Sequence, residues 1–152
     1  METFRSAFTE SDLIDGATVS VLAGQFVKLG EYQVQAGELV AVGYGAESGQ
    51  ESAQGRIYAL LKDGEAVPGI INGVVRVSIY SPQDRPIEIL QEYRTETLNT
   101  SSTDRTKQVP LPLINAFVSE DKKIVLEMKA DANATLTKAN CDLIMDITKA
   151  VV

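Results

Sequence analysis

The side chains here that could do chemistry are carboxylates, because the other usual candidates are missing or alone. The 152-residue chain has no histidine, no tryptophan and one cysteine. Without histidine there is no Ser–His–Asp or Cys–His catalysis and no histidine-ligated metal. The single thiol, Cys141, allows neither an internal disulfide nor a thiolate cage. Its neighbours are Asn140 and Asp142, with no cation beside it to favour the thiolate, so it reads as a small side chain of a late strand. Among the acids, Glu88, Glu92, Glu96, Glu127 and Asp146 are those that strands could carry to one cleft. A glycosidase needs two such groups face to face, one with a raised pKa. Strand alternation puts Glu88 and Glu92 on one polar face, where a solvated, edge-protecting role is the simpler reading. The expectation is a protein that is not an enzyme, with no catalytic residue, no cofactor and no metal.

Four further motifs resolve the same way. Gly43-Tyr44-Gly45-Ala46-Glu47-Ser48-Gly49 lacks the third glycine of a dinucleotide fingerprint, since Ser48 stands there. It also lacks the Gly-Lys-Ser/Thr of a P-loop, because Gln50 follows Gly49. Asp131-Ala132-Asn133-Ala134-Thr135 begins like an EF-hand loop, but Leu136 occupies the glycine position and Asp142 the glutamate position. It reads as a polar hairpin connection. Arg85, Arg94, Arg105 and Lys107 are too few, with only Tyr80 and Tyr93 near, to form a nucleic-acid surface. The net charge of −7 also argues against nucleic acid and anionic membranes as partners. Pro110-Leu111-Pro112 is a rigid lead-in to a strand, with a polyproline-type ligand as the other possibility.

The elements that would position these residues are strands. One domain suits this length, and with 44% hydrophobic but only 6% aromatic residues its core must be mostly aliphatic. All eleven glycines lie between Gly16 and Gly73, and all five prolines between Pro68 and Pro112. Residues 1–76 carry five basic against ten acidic side chains, and residues 77–152 nine against eleven. No polar linker divides the halves. Apolar residues alternate in Val75-Arg76-Val77-Ser78-Ile79-Tyr80, in Pro86 to Tyr93 and in Lys123-Ile124-Val125-Leu126-Glu127-Met128-Lys129, which is the pattern of half-buried strands. Turn signals separate them at Ala36-Gly37-Glu38, Lys62-Asp63-Gly64-Glu65, Ser81 to Pro86 and Ser119-Glu120-Asp121-Lys122. Asp63-Gly64 is the best tight-turn candidate. The predicted strands are 18–22, 25–29, 31–36, 38–44, 55–62, 74–80, 86–95, 106–109, 113–118, 123–130, 134–138 and 142–150. The last could also form a helix through Leu143, Ile147 and Ala150, but Thr148, Val151 and Val152 favour strand. Spacing near ten residues gives an all-β, single-domain antiparallel β-sandwich, or a jelly-roll or tulip-like barrel.

Two segments fall outside this pattern. Residues 97–112 form a long polar loop, and with the glycine-rich 43–55 segment they are candidate ligand loops. Residues 1–16 read as an N-terminal extended arm before a β-sandwich domain of residues 17–152. Phe4, Phe8, Leu13 and Ile14 are irregularly spaced there and should pack either on their own domain or on a neighbouring chain. No apolar stretch matches a signal peptide or a membrane span, so a cytoplasmic protein without membrane association is expected.

The arm Phe4-Arg5-Ser6-Ala7-Phe8, the run Tyr32-Gln33-Val34-Gln35-Ala36-Gly37-Glu38-Leu39-Val40-Ala41-Val42-Gly43-Tyr44 and the closing strands 123–148 together resemble the small β-sandwich decoration, or cement, proteins on the heads of tailed viruses. That resemblance implies a virion structural protein, made in a host cytoplasm, that binds the outer capsid lattice as a homo-oligomer, a trimer being favoured. Its partners would be the major capsid protein or other assembly subunits. Phe4, Arg5, Phe8, Leu13 and Ile14 are then candidate protein contacts, since large apolar side chains on an arm dominate such interfaces. The alternative is a monomeric β-sandwich module that binds carbohydrate or protein through the 43–55 and 97–112 loops.

Overall fold

The computed structural model describes residues 2–8, 18–42, 56–67, 69–98, 111–112 and 116–151. Its strands are β1 (Glu2–Phe8), β2 (Thr18–Val21), β3 (Val27–Gln33), β4 (Glu38–Val42), β5 (Arg56–Leu60), β6 (Gly73–Tyr80), β7 (Pro86–Arg94), β8 (Leu111–Pro112), β9 (Ala116–Val118), β10 (Lys123–Ala130), β11 (Ala134–Thr137) and β12 (Asp142–Val151). A single helical turn, α1 (Thr95–Leu98), follows β7, and a 3₁₀ turn, Lys138–Asn140, precedes β12. The expected all-β architecture is present.

The strands form three antiparallel sheets. One runs β8-β5-β12-β4-β9, with β1 added on β12; a second runs β3-β10-β6-β7; a third is the pair β11-β2. All three contribute to one aliphatic core. Val40 and Val118 come from the first sheet, Leu29, Val77, Ile124, Leu126 and Met128 from the second, and Val21 and Leu136 from the third. That is the sandwich solution to the problem of sheets with one apolar face each. Among the described residues the core has no aromatic member that is fully buried; its largest such side chains are Leu29, Leu61, Ile124, Leu126, Met128 and Leu136.

Strand ends follow the chemistry of their turns. Gly37 has φ +76° between β3 and β4, a conformation that only glycine adopts without strain, and its amide donates to Glu120 Oε2 at 2.8 Å, joining two turns. In the β6–β7 hairpin Asp84 takes φ 60°, tolerated by a short polar side chain. The Ser81 amide donates to the Arg85 carbonyl at 2.8 Å, and the Ser81 hydroxyl accepts from the Arg85 amide at 3.2 Å. Gly73 begins β6 where a methyl group would stand 2.4 Å from the Lys129 carbonyl oxygen of β10, so the close approach of these strands requires glycine.

The structure corrects several expectations. Residues 2–8 are not an extended arm outside the strand pattern. They pair with β12 in register Phe4 to Lys149, Arg5 to Thr148 and Phe8 to Met145. Strand β12 is ten residues long and offers a second ladder edge, which recruits a segment through backbone hydrogen bonds without needing clean apolar alternation. The helical alternative for residues 142–152 does not form over Asp142–Val151. The strands expected at 25–29 and 31–36 are one strand, β3. Gly30, which looked like a break, sits opposite Leu126 beside a β-bulge that turns Leu29 inward. Asp63-Gly64 opens a wider loop rather than a tight turn, in which Asp63 Oδ1 accepts the amides of Glu65 at 3.1 Å and Gly69 at 3.0 Å. Thr97 and Leu98 belong to α1, and Leu111 and Pro112 to β8. The rest of the 97–112 segment, the 43–55 segment and the strand expected at 106–109 lie outside the described residues, as do Leu13 and Ile14.

Candidate interaction surface

The second sheet turns Ile124, Leu126 and Met128 of β10 to the core, so Lys123, Val125, Glu127 and Lys129 lie on its other, outer face by the period-two pleat. Register then aligns one residue from each strand. Lys28 of β3 is opposite Glu127 of β10, Glu127 is opposite Arg76 of β6, and Arg76 is opposite Glu92 of β7. Charge alternates along this row as plus, minus, plus, minus. Arg76 Nη2 donates to Glu127 Oε2 at 3.2 Å, the Tyr80 hydroxyl donates to the same oxygen at 2.7 Å, and Arg76 Nη1 lies 3.9 Å from Glu92 Oε1. The Arg76 guanidinium stacks 3.6 Å from the centre of the Phe26 ring, and Lys28 Nζ lies 5.4 Å from the centre of Tyr80. Beneath these side chains Glu127 is only 3% exposed and Val125 is fully buried.

Of the three register slips in this sheet, two flank the row. The β10–β3 register slips between Leu126 and Glu127, and the β6–β7 register slips between Val77 and Ser78. Leu126 and Val77 are directly paired, so both irregularities fall at one level of the sheet. The extra residues, Leu29 and Leu90, both point into the core. The slip in β7 also separates the two carboxylates expected to share a face: Glu92 lies opposite Arg76, while Glu88 lies opposite the core residue Ile79. No paired-carboxylate cleft is built from them. Glu96 is held by Arg94 at 2.9 Å, and Asp146 is opposite Ala7 in the β1–β12 ladder.

Around the row lie exposed ion pairs. Asp84 accepts from Lys123 at 2.8 Å and from Lys28 at 3.3 Å, and these two lysines hold its carboxyl below the usual aspartate range. Arg94 donates to both carboxylate oxygens of Asp131, at 3.0 and 2.6 Å, and keeps that carboxyl low as well. Asp131 and Asn133 of the EF-hand-like segment are therefore engaged by partners within the chain: Asn133 Oδ1 accepts the Ala23 amide at 2.9 Å. This segment is the β10–β11 connection and lines, with Asp63, Ile70 and Asn72, a shallow pocket of about 270 Å³. No group of three or more potential metal-ligating side chains occurs among the described residues. Cys141 is buried, its thiol between the Lys62 amide at 3.3 Å and the Thr137 carbonyl at 3.2 Å.

Tyr80 gives a direct readout of this surface. Burial, and then its hydrogen bond to Glu127, push its phenol from 10.0 up to about 12. The folded state thus favours the neutral phenol, and that contribution to stability is lost as pH rises from about 10 through about 12. In an NMR titration of ring-labelled tyrosine, the Tyr80 resonance is expected to move late, and Glu127→Gln to bring its midpoint down. A midpoint near 10 that ignores the Glu127 change would disprove the contact.

Three of the exposed large apolar residues lie on end strands. Ile87 and Ile89 are each 53% exposed on β7, the last strand of the second sheet, and Phe117 is 65% exposed on β9, the last strand of the first. Sequence reasoning missed these, because alternation cannot tell an end strand from a central one. Of the residues expected to make protein contacts, Phe4, Arg5 and Phe8 are brought together on β1.

No protein-family model matches the chain, and no curated protein is similar to it in sequence. Among solved structures it is similar over its whole length to the VP16-VP17 complex, described as a complex of the two major capsid proteins of bacteriophage P23-77. The TM-score is 0.60 at 7% identity, with both chains covered in full. It is likewise similar to VP17, described as a capsid protein of the same phage, with TM-score 0.58, 7% identity, and 100% of this chain and 98% of that one covered. At this identity the likeness concerns the fold.

Proposed function

We propose that this chain is a virion structural protein, not an enzyme, that assembles with other capsid subunits. The observation that carries the reading is the whole-length match in fold to capsid proteins. A surface of paired charges and end-strand apolar residues, without a catalytic constellation in the sequence, is consistent with contact as the function. In its finer form the proposal is a decoration protein that binds the outer capsid lattice as a trimer and contributes apolar burial at lattice junctions, on the order of 25 cal/mol per Å². The two comparison proteins are described as capsid proteins, one of them in a complex of major ones, which favours a shell-forming subunit as the second reading.

The contact is assigned to the N-terminal strand and the residues after it, Phe4, Arg5, Phe8, Leu13 and Ile14. Because β1 pairs β12 within one chain, the proposed contact exchanges β1 onto the β12 of a neighbouring copy, a low-cost route to oligomers. Light scattering is expected to give three times the 16.4 kDa chain mass, and the protein is expected to co-sediment with capsids. Cysteines at the register pair Arg5 and Thr148 are expected to crosslink chains together under oxidation. A crosslink confined to single chains would end the exchange mechanism, and a monomer that ignores capsids would end the assembly reading.

A further inference from the structure

The outer face of the second sheet holds three polar atoms whose chemistry is complementary. Glu127 Oε1, Arg76 Nε and Ser78 Oγ are each buried and without a hydrogen-bond partner among the described residues. Their residues are neighbours in the β6–β10 ladder. Arg76 is directly opposite Glu127, and Ser78 is two residues along β6, on the same face and opposite Val125. Ser78 is 1% exposed and Glu127 3%, so bulk solvent does not serve them. Buried polar groups in native proteins are almost always satisfied, by protein or by ordered water.

The three atoms define what fits among them. Arg76 Nε can only donate and ionised Glu127 Oε1 can only accept, while a serine hydroxyl does either. A cation is refused by the guanidinium and an anion by the carboxylate. An apolar group would leave all three unsatisfied. A small neutral molecule that both donates and accepts satisfies each of them.

We infer that one internal water is bound at this site, accepting from Arg76 Nε, donating to Glu127 Oε1 and exchanging a hydrogen bond with Ser78 Oγ. Three partners is the usual number for a buried water. The water would tie β6 to β10 at the level of the two bulges and make the Lys28–Glu127–Arg76–Glu92 row respond as one unit.

A high-resolution crystal structure of the whole chain, paired with water–amide cross-relaxation NMR, tests this. The expected result is a density peak within hydrogen-bonding distance of all three atoms, with a long-lived water cross-peak at the amides of Ser78 and Glu127. Ser78→Val, which suits a strand and places a methyl where the hydroxyl was, is expected to abolish both; Ser78→Ala serves if that variant does not fold. The inference is overturned if Arg76 presents Nε and Nη2 together to Glu127 with no density between them. It is equally overturned if the cross-peak survives in the Ser78 variant.

Discussion

Replacing Glu127 with alanine is expected to destabilise the fold by about 3 kcal/mol, because it leaves a largely buried guanidinium with only the half-exposed Glu92, 3.9 Å away. The Arg76 side chain is 16% exposed and that of Glu127 4%, which places the effect at the lower end of the roughly 3–5 kcal/mol seen when one member of a buried ion pair is removed. The Tyr80 hydroxyl loses its acceptor at the same time. Replacing both charges, with Arg76→Met and Glu127→Leu, is expected to restore most of the loss, since no uncompensated charge then remains. Urea unfolding of the two single variants and the double variant measures the coupling, provided the slope with denaturant is unchanged. A loss below about 1 kcal/mol for Glu127→Ala would mean that water reaches the pair and screens it as it does surface ion pairs.

Leu126→Ala is expected to cost about 3–5 kcal/mol by the transfer and cavity terms together. Leu126 is fully buried and lies on the central strand between Val77 of β6 and Gly30 of β3. A glycine on one side leaves little that can collapse into the space. For a chain of this size the change corresponds to a fall in Tm of roughly 10 °C or more. A fall of only 2–3 °C would show that the neighbouring strands close the cavity. The comparison with Phe117→Ala is informative, because Phe117 is 65% exposed and its truncation is expected to lower Tm far less than Leu126→Ala while weakening any contact made through β9.

These neighbouring residues also show how far the sequence could be read. The alternation from Lys123 to Lys129 predicted a half-buried strand over 123–130, which is β10, because side-chain direction in a strand is a local property of the backbone. In the sequence Glu127 is only one of five acids that strands could carry to a cleft. It faces away from the core, but Arg76 and Tyr80, some fifty residues earlier, close over it. Burial depends on cross-strand neighbours, which local sequence does not name. The bulges behave similarly. Gly30 and the even spacing of Glu88 and Glu92 gave no sign that Leu29 and Leu90 would each be the extra residue of a slipped register. β1 was missed because an added strand is held by backbone groups of β12 rather than by its own apolar pattern.

What the sequence alone determined is the class and the punctuation. Its period-two aliphatic segments, glycine and aspartate turns and scarcity of aromatics dictate short antiparallel strands around an aliphatic core, and its lack of histidine removes whole classes of chemistry. The tertiary structure decided which strands become neighbours. That choice created the alternating charge row, placed two of the second sheet's three bulges at one level, moved residues 2–8 into a sheet and left Ile87, Ile89 and Phe117 on end strands. The physical reason is that strand pairing joins residues far apart in the chain through generic backbone hydrogen bonds. Side-chain partners across the sheet therefore follow from global register, which no local pattern encodes.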